Sequence, residues 1–340
     1  MFRISGARLL VLNRLIASNR VKFAGVLAAD LLGIRYTIVR FDPVMACNLR
    51  CGMCYFSDET WYRENVGSRF TPEQMTRIAE IFFPEALQLY VGCGSEPTMW
   101  KGYPDIVGIA KTKGVPFVSL VTNAQLLNRA AVEALVGHRL DEITISVHGT
   151  RQDMYESLMK GAKWQRLHDN LALIDAVRRE KNSSLPKIRL NYTVNNDNVE
   201  QMAELMAVFG QYGIDTIQIR PIADLGNTTY QDKDLTESLP VYEAGIRRLQ
   251  KECAQAGTVL LANLTDPLFE QNNTQSVVYE NAVLRYVSPQ RVWVKDYNPQ
   301  QESYQTLKKR TGFRKRLLRW VVSGSRELEH TTMLTTSKVL

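Results

Sequence analysis

Short apolar runs alternate with amphipathic stretches between residues 38 and 220. Six runs have the length and the β-branched or aromatic content of buried strands, and they cover 38–41, 87–91, 117–121, 142–147, 188–194 and 216–220. Apolar residues recur at helical spacing over 103–113, 127–137, 164–181 and 198–212. A further helix is predicted to begin after Thr71, which can cap it, with Pro72 in the first turn and Gln74 completing a capping box. This alternation predicts a parallel sheet with helices packed outside it.

Six strand–helix units fit an α/β fold, a partial (β/α)6 TIM-like barrel, whose active sites lie at the carboxyl ends of the strands. The alternation stops after residue 225. There the pattern predicts a helix over 240–257, a short strand at 259–261, irregular chain over 265–305 and a hairpin strand at 292–294. We therefore divide the chain into an N-terminal amphipathic helical segment (1–35), the barrel (36–225) and a smaller C-terminal α+β extension (226–340) with a basic tail.

Three of the five cysteines stand directly after the first predicted strand, at Cys47, Cys51 and Cys54. Thiolates this close together can hold three corners of a 4Fe–4S cluster and leave one iron open to a small-molecule ligand. Structural zinc is an alternative, but it usually takes four ligands in two separated pairs, and no second pair follows. Buried thiols without metal are another alternative, whereas a disulfide framework would leave one of the three unpaired.

The run from Cys47 to Tyr55, CNLRCGMCY, resembles the cluster loop of the radical S-adenosylmethionine (SAM) enzymes. It is most similar to the branch that contains the molybdenum-cofactor cyclase and the SPASM-type peptide-modifying enzymes, and the resemblance covers roughly residues 36–225. It implies that Cys47, Cys51 and Cys54 bind a 4Fe–4S cluster whose open iron binds SAM. An electron from a flavodoxin or ferredoxin would then split SAM into methionine and a 5′-deoxyadenosyl radical, which takes hydrogen from a substrate.

The segment after the second predicted strand resembles the family's Gly-Gly-Glu-Pro motif, whose backbone and Glu engage the SAM amino group. It reads GCGSEP, so the resemblance implies SAM contacts from Gly94, Ser95, Glu96 and Pro97. Ser95 stands where the second glycine is usual, which restricts the backbone dihedral angles available there. The alternative interpretation is an ordinary turn after a strand.

Other strand ends carry polar residues that match family positions near SAM. The resemblance implies that Thr122 lies in a turn near SAM, that Ser146 is near the ribose or carboxylate and that Asn191 reaches the ribose. It also places Arg220 in the wall that packs on adenine and Tyr55 beside the cluster and adenine. Each of these side chains has an alternative as a strand-end cap or a core residue.

The remaining cysteines and one histidine are weaker candidates. Cys93 could be a further cluster ligand or a reactive thiol, and Cys253 could donate hydrogen atoms, but free cysteines more often pack as small hydrophobic residues. His148 stands where the family often has Asp, which leaves the role of that acid open in this chain. Only Cys253 follows residue 225, so multi-cysteine auxiliary clusters are excluded, and the extension 226–340 is either a degenerate SPASM-like region or unrelated to one.

The distribution of charge along the chain narrows the choice of binding partners only slightly. The net charge is +7, and residues 308–319 carry seven basic residues and no acid beside several apolar ones. Such a helix could lie on an anionic membrane, but we favour a solvated basic face whose apolar side packs on the body. No run reaches the ~20 apolar residues of a membrane span, and no signal peptide is evident. We expect a cytoplasmic protein, with a peripheral position at the inner membrane face as the alternative, and no nucleic-acid partner.

The sequence leaves the substrate open. A ribosomal peptide, a nucleotide-like metabolite and an anionic lipid or glycan precursor all fit the family branches, and the basic segments slightly favour an anionic molecule. A non-catalytic iron–sulfur scaffold or sensor is the alternative to an enzyme.

Overall fold

The computed structural model describes residues 18–222, 226–231, 235–262, 278–292 and 301–323, with residues 16 and 298. Within these ranges the strands are β1 (Thr37–Phe41), β2 (Ala86–Val91), β3 (Phe117–Thr122), β4 (Glu142–Ser146), β5 (Lys187–Val194), β6 (Thr216–Pro221), β7 (Val259–Leu261), β8 (Leu284–Ser288) and β9 (Arg291–Val292). They form one sheet in the order β7-β6-β5-β4-β3-β2-β1-β8-β9. All neighbours are parallel except β8 and β9, which are antiparallel.

The predicted partial barrel is confirmed, because β1 to β6 are adjacent in chain order, parallel and joined through helices. The sheet is not closed, since β7 extends it at one edge and β8 and β9 extend it at the other. The described α-helices are α1 (Asn19–Leu31), α2 (Glu59–Asn65), α3 (Pro72–Phe82), α4 (Tyr103–Thr112), α5 (Arg129–Gly137), α6 (Gln152–Leu158), α7 (Trp164–Glu180), α8 (Leu205–Phe209), α9 (Leu239–Ala256), α10 (Tyr304–Arg310) and α11 (Phe313–Ser323). The predicted capping box at Thr71 and Gln74 is present at the start of α3.

The two faces of the sheet differ in chemistry. Alternate residues such as Val39, Leu89 and Ile143 are fully buried in the main hydrophobic core with the helices. The intervening residues are polar and form the inner face, with Arg40 beside Tyr90 and Ser146 beside Asn191 in the strand register. Because side chains alternate along a strand, this pattern places the polar chemistry inside the barrel.

Three sequence predictions need correction. The segment 198–212 is not one helix but a 3₁₀ turn, the short α8 and a second 3₁₀ turn. Its start is non-helical because the Asn198 side chain bonds the carbonyls of His148 and Thr193 instead. The region expected to be irregular contains β8, which pairs in parallel with β1. The basic segment forms two helices, because Gly312 has a left-handed φ of +62°.

The predicted hairpin strand at 292–294 is confirmed only in part. Val292 pairs with Val287 in the β8–β9 hairpin, whereas Trp293 and Val294 lie outside the described residues. The short strand predicted at 259–261 is confirmed as β7.

Helices α10 and α11 pack against α1 through a buried ion cluster. The Asp30 carboxylate accepts hydrogen bonds from Lys308 Nζ at 2.7 Å and Arg314 Nε at 2.6 Å. Leu317 and Trp320 are buried on the same side, although Leu318 and Val322 stay exposed. This packing favours the interpretation of a basic face attached to the body. Membrane contact stays a prediction, and no described helix combines the length and apolarity that a membrane crossing requires.

Candidate active site

The cysteine loop follows β1 and lies over the carboxyl ends of the strands. Its backbone is held by the end of α6 and the segment after it, since Arg50 N donates to the Lys160 carbonyl at 2.9 Å and Gly52 N to the Leu158 carbonyl at 3.0 Å. Thr229 Oγ1 donates to the Gly52 carbonyl from the other side at 3.0 Å. The loop is therefore fixed by contacts far apart in the sequence.

The three thiols of this loop lie in a common, mostly buried environment. Burial raises the pKa of Cys47 to about 12 and also raises those of Cys51 and Cys54, and Cys47 and Cys54 both add to the rise at Cys51. The metal-free thiols are therefore protonated at neutral pH, and binding as thiolates would release protons. Cys47 Sγ accepts a hydrogen bond from Leu49 N at 3.4 Å.

The alternative of a single metal ion has no preformed site. Among the side chains that the structure describes, no three from His, Cys, Asp and Glu converge on one metal ion. A cubane cluster differs from such a site because each thiolate would bind a different iron.

Glu96 connects the cysteine loop to the end of β3. Its carboxylate accepts hydrogen bonds from Thr122 Oγ1 at 2.7 Å, Thr98 Oγ1 at 2.6 Å and Asn123 N at 2.8 Å, while its own N–H donates to the Ala46 carbonyl. Burial raises the pKa of Glu96, and these donors act in the opposite direction. Glu96 and Thr122, both predicted as SAM contacts, thus bond each other, and together they fix the loop relative to β3.

Asn123 continues this connection. Its side-chain amide donates to Asn48 Oδ1 at 2.9 Å and makes a longer contact of 3.8 Å with Cys47 Sγ. N–H groups directed at a ligating sulfur are among the features that tune iron–sulfur clusters. The sequence pattern drew attention to Thr122, but its neighbour Asn123 makes the contact with the thiol.

Asp42 was missed by the sequence reasoning. It is fully buried at the end of β1, where Oδ1 accepts from Cys93 N at 2.8 Å and Ser95 Oγ at 3.0 Å, and Oδ2 accepts from Gly94 N at 3.0 Å and Tyr286 OH at 2.7 Å. Burial raises the pKa of Asp42, and these donors oppose the rise. Its place directly after a buried strand was the signal that could have identified it.

The GCGSEP segment is shaped by two glycines. Gly92 has φ of +86°, and a Cβ there would lie 2.4 Å from the Val121 carbonyl oxygen. A Cβ on Gly94 would lie 3.0 Å from the hydroxyl of Tyr55 and 3.1 Å from that of Tyr286. The Tyr55 hydroxyl donates to the Gly94 carbonyl. Gly94 therefore forms a narrow cradle bordered by two phenols.

The other predicted contacts are divided between this cradle and the inner wall. The Ser95 hydroxyl bonds Asp42, and Pro97 is buried under the same segment. Ser146 and Asn191 are register partners on β4 and β5. The buried Oδ1 of Asn191 has no hydrogen-bond partner within the described structure. A buried polar atom without a partner is costly, so this oxygen is available to a ligand.

The inner wall also carries arginines. Burial raises the pKa of the Cys93 thiol to about 12, while Arg40 and Arg220 act to lower it. Arg220 is on β6 and Cys93 follows β2, so both residues are at the carboxyl ends of their strands. Arg189 is neutralised by Glu142 at 2.8 Å. The Arg40 guanidinium lies 6.0 Å from the Tyr279 ring centre and forms no ion pair with any carboxylate whose position is described.

The weaker sequence candidates are located as follows. Cys93 is half-buried, and its N–H is one of the donors to Asp42. Cys253 is buried in α9, and burial raises its pKa to about 11, as expected for a packed thiol. His148 is buried, Nδ1 accepts from Thr193 N at 3.1 Å, and burial lowers its pKa to about 4. His148 is therefore neutral and structural.

Comparison with known proteins finds a family model and relatives that match the part of the chain that carries this site. Residues 43–206 match the model of the radical SAM superfamily. Over 220 residues the chain is 26% identical to a probable GTP 3′,8-cyclase of Metallosphaera sedula, covering 64% of this chain and 63% of that protein. It is 22% identical to the probable GTP 3′,8-cyclase of Sulfurisphaera tokodaii, covering 62% and 64%. The chain thus spans somewhat less than two thirds of the length of these relatives.

Solved structures agree on the fold. SuiB of Streptococcus suis bound to S-adenosylmethionine aligns with a TM-score of 0.57 at 17% identity, covering 75% of this chain and 58% of SuiB. Native anSMEcpe with bound AdoMet aligns with a TM-score of 0.59 at 14% identity, covering 80% of each chain. These structural matches show the fold alone and agree with the partial barrel, whereas the family-model match shows that residues 43–206 form a radical SAM domain.

Proposed function

We propose that this protein is a radical SAM enzyme that binds a 4Fe–4S cluster through Cys47, Cys51 and Cys54 and uses SAM to abstract hydrogen from a substrate. The observation that carries the proposal is the attachment of the three-cysteine loop to the strand ends through Glu96 and Asn123. A loop needed only for packing would not require this buried polar connection between thiols and strand ends.

The residues present fit both groups. The three soft sulfur donors come from one fixed loop, as a cubane with one open iron requires. The Gly94 cradle leaves backbone exposed beside that loop, and Asn191 supplies an acceptor without a partner. When bound, the cluster supplies one low-potential electron that splits the carbon–sulfur bond of SAM and leaves a 5′-deoxyadenosyl radical.

The chain's own residues position SAM and protect the reaction. Asp42 and Glu96 hold the GCGSEP segment, so that its backbone presents a fixed surface to the SAM amino acid group. Asn191 and Ser146 face the ribose from the inner wall. Tyr55 is 7% exposed and packs on Trp61 with 4.3 Å between ring centres, so these rings shield the cysteine loop from water.

The inner wall supports an anionic substrate. Arg40 on β1 is half-buried and forms no ion pair with a described carboxylate, whereas Arg189 already pairs with Glu142. Positive charge on a half-buried surface favours phosphate or carboxylate groups. This supports the nucleotide-like class over an uncharged peptide, and the relatives of this chain are named as GTP cyclases.

Anaerobic reconstitution tests the proposed reaction. Cluster-loaded protein given SAM and dithionite should form 5′-deoxyadenosine, measured by liquid chromatography and mass spectrometry. C47A, C51A and C54A should each abolish it, because each removes one cluster ligand. C253A is the matched control, since it removes a buried thiol on α9, outside the loop, and it should retain activity. A loaded wild-type cluster that leaves SAM intact would instead support the scaffold alternative.

A substrate panel tests the anionic class. GTP, other nucleotides and uncharged peptides are added to the same reaction, and substrate-dependent 5′-deoxyadenosine formation is compared. The proposal expects stimulation by an anionic molecule that R40Q weakens, while basal SAM cleavage in R40Q persists. Stimulation by an uncharged peptide that R40Q leaves unchanged would refute it.

A further inference from the structure

A cationic groove of about 390 Å³ opens beside the cysteine loop, on residues that neither SAM binding nor the inner wall uses. Its lining includes the basic side chains of Arg50, Arg63 and Lys160 and the aromatic rings of Phe56 and Tyr62. Arg63 and Lys160 are exposed, whereas Arg50 and Tyr62 are half-buried. The groove therefore combines a half-buried floor with an exposed, charged rim.

The charge of this groove is only partly neutralised. Glu59 lies in the same lining and pairs with Arg63 at 3.7 Å, but both side chains are exposed and the pair is weak. Arg50 and Lys160 form no ion pair with any carboxylate in the described part of the chain. A positive surface remains, and it attracts proteins of opposite charge.

The groove is connected directly to a cluster cysteine. The Arg50 guanidinium donates to the Cys47 carbonyl at 2.9 Å and to the Leu49 carbonyl at 2.8 Å, and it stacks 3.8 Å from the Tyr62 ring centre. The Arg50 N–H also bonds the Lys160 carbonyl. A molecule seated in the groove would thus be one side chain away from the thiol loop. Electron transfer requires such proximity between donor and acceptor centres.

We infer that this cationic groove is the docking surface for an acidic one-electron carrier protein. The inference rests on the proposed function, because a cluster that cleaves SAM must first be reduced. At this surface the carrier's cofactor is oxidised by one electron and the cluster is reduced by one electron, and no covalent bond forms or breaks. Charge complementarity selects the acidic carrier, and the Arg50–Tyr62 stack forms a half-buried floor under it.

The test uses the double variant R63Q/K160Q, which removes two rim charges and leaves Arg50 in place. Its control is K309Q/K315Q, which removes two exposed charges in α10 and α11. Those helices lie at the other end of the barrel, where Gln305 bonds Glu85 just before β2. An acidic flavodoxin is the probe. Its dissociation constant is measured by calorimetry at low and high salt, and 5′-deoxyadenosine formation is measured with flavodoxin hydroquinone or with dithionite.

The docking inference expects a specific combination of results. R63Q/K160Q should weaken flavodoxin binding by about tenfold at low salt, with less effect at high salt, because rim charges act mainly through screened attraction. In R63Q/K160Q the rate of 5′-deoxyadenosine formation driven by flavodoxin should fall, while the rate driven by dithionite should match wild type. K309Q/K315Q should match wild type in flavodoxin binding and in both rates.

Flavodoxin binding that is equal in wild type and R63Q/K160Q would overturn the inference, as would equal weakening in the control. If R63Q/K160Q loses only the binding of small anions such as phosphate, the inference is also overturned, because the groove would then be a small-molecule site. If wild-type protein cleaves no SAM even with dithionite, the proposed function fails, whereas the binding data still decide whether the groove docks the carrier.

Discussion

Replacement of Asp42 by Asn tests whether a buried carboxylate holds the GCGSEP segment in place. Asp42→Asn keeps the side-chain volume but exchanges one acceptor oxygen for an amide donor. In the wild type, Oδ2 accepts from Gly94 N and from the Tyr286 hydroxyl, and Oδ1 accepts from Cys93 N and Ser95. The amide can retain the bonds on one side, but on the other it faces the Gly94 N–H with a second donor.

The magnitude follows from these contacts. Hydrogen bonds to an ionised group contribute about 1.5–3 kcal/mol, neutral ones about 0.5–1.5, and a buried unsatisfied donor costs about 1–3 kcal/mol. One lost bond and the weakening of the others are partly offset because no charge has to be buried. We expect D42N to lower the free energy of unfolding by about 2–4 kcal/mol. We also expect it to weaken SAM binding by about tenfold, the equivalent of about 1.4 kcal/mol.

The assay combines two readouts. Urea denaturation of metal-free protein under anaerobic reducing conditions gives the free energy of unfolding, and equilibrium dialysis of reconstituted protein gives the SAM dissociation constant. S95A is the control, because it removes one half-buried hydroxyl from the same carboxylate and should cost about 0.5–1.5 kcal/mol. A D42N protein with wild-type stability and SAM affinity would refute the role of Asp42 in holding the GCGSEP segment.

Three further predictions concern the buried ion cluster, the inner wall and the first glycine of the GCGSEP segment. D30N leaves the buried Lys308 without its counter-charge and should cost about 3–5 kcal/mol in urea denaturation, whereas E302Q, in a more exposed pair with Arg310, should cost less than about 1 kcal/mol. Burial raises the pKa of Asp30, but hydrogen bonds from Lys308 and its neighbours outweigh this and hold it below 3.8. The ion cluster's stabilisation is therefore present above pH 3.8 and should be lost as pH falls through the lower folded pKa, a decline that D30N should not show. N191A should weaken SAM binding in dialysis without lowering the unfolding free energy, because Oδ1 loses no protein partner; a large stability loss would argue against a ligand role. G92A should lower the melting temperature, since φ is +86° and the added methyl meets the Val121 carbonyl, and unchanged stability would contradict this.

Local patterns made most of the barrel predictable. The six inner strands were identified from short apolar runs, and their bounds differ from the predicted ones by one residue or less at each end. The capping box of α3 was predicted because its signal lies within four consecutive residues. Apolar runs and capping residues are local features of the chain. The sequence pattern therefore predicts the strands and the helix start that depend on them.

Long-range contacts were not predictable in this way. β8 was missed because its five residues lie in polar surroundings and become a strand only through pairing with β1. Tyr286 therefore could not be connected with Asp42, which lies 244 positions away in the sequence. The resemblance to a family identified Glu96 and Thr122, but it could not show that the two side chains bond each other.

The central claim is that one loop of three thiols holds a cubane whose open iron binds SAM. Electron paramagnetic resonance of anaerobically reconstituted, dithionite-reduced protein tests it most directly, with iron and sulfide assayed in the same sample. We predict about four iron atoms per chain and a cluster signal whose g-values shift when SAM is added. A protein that loads no iron, or a cluster signal that is identical with and without SAM, would contradict the claim.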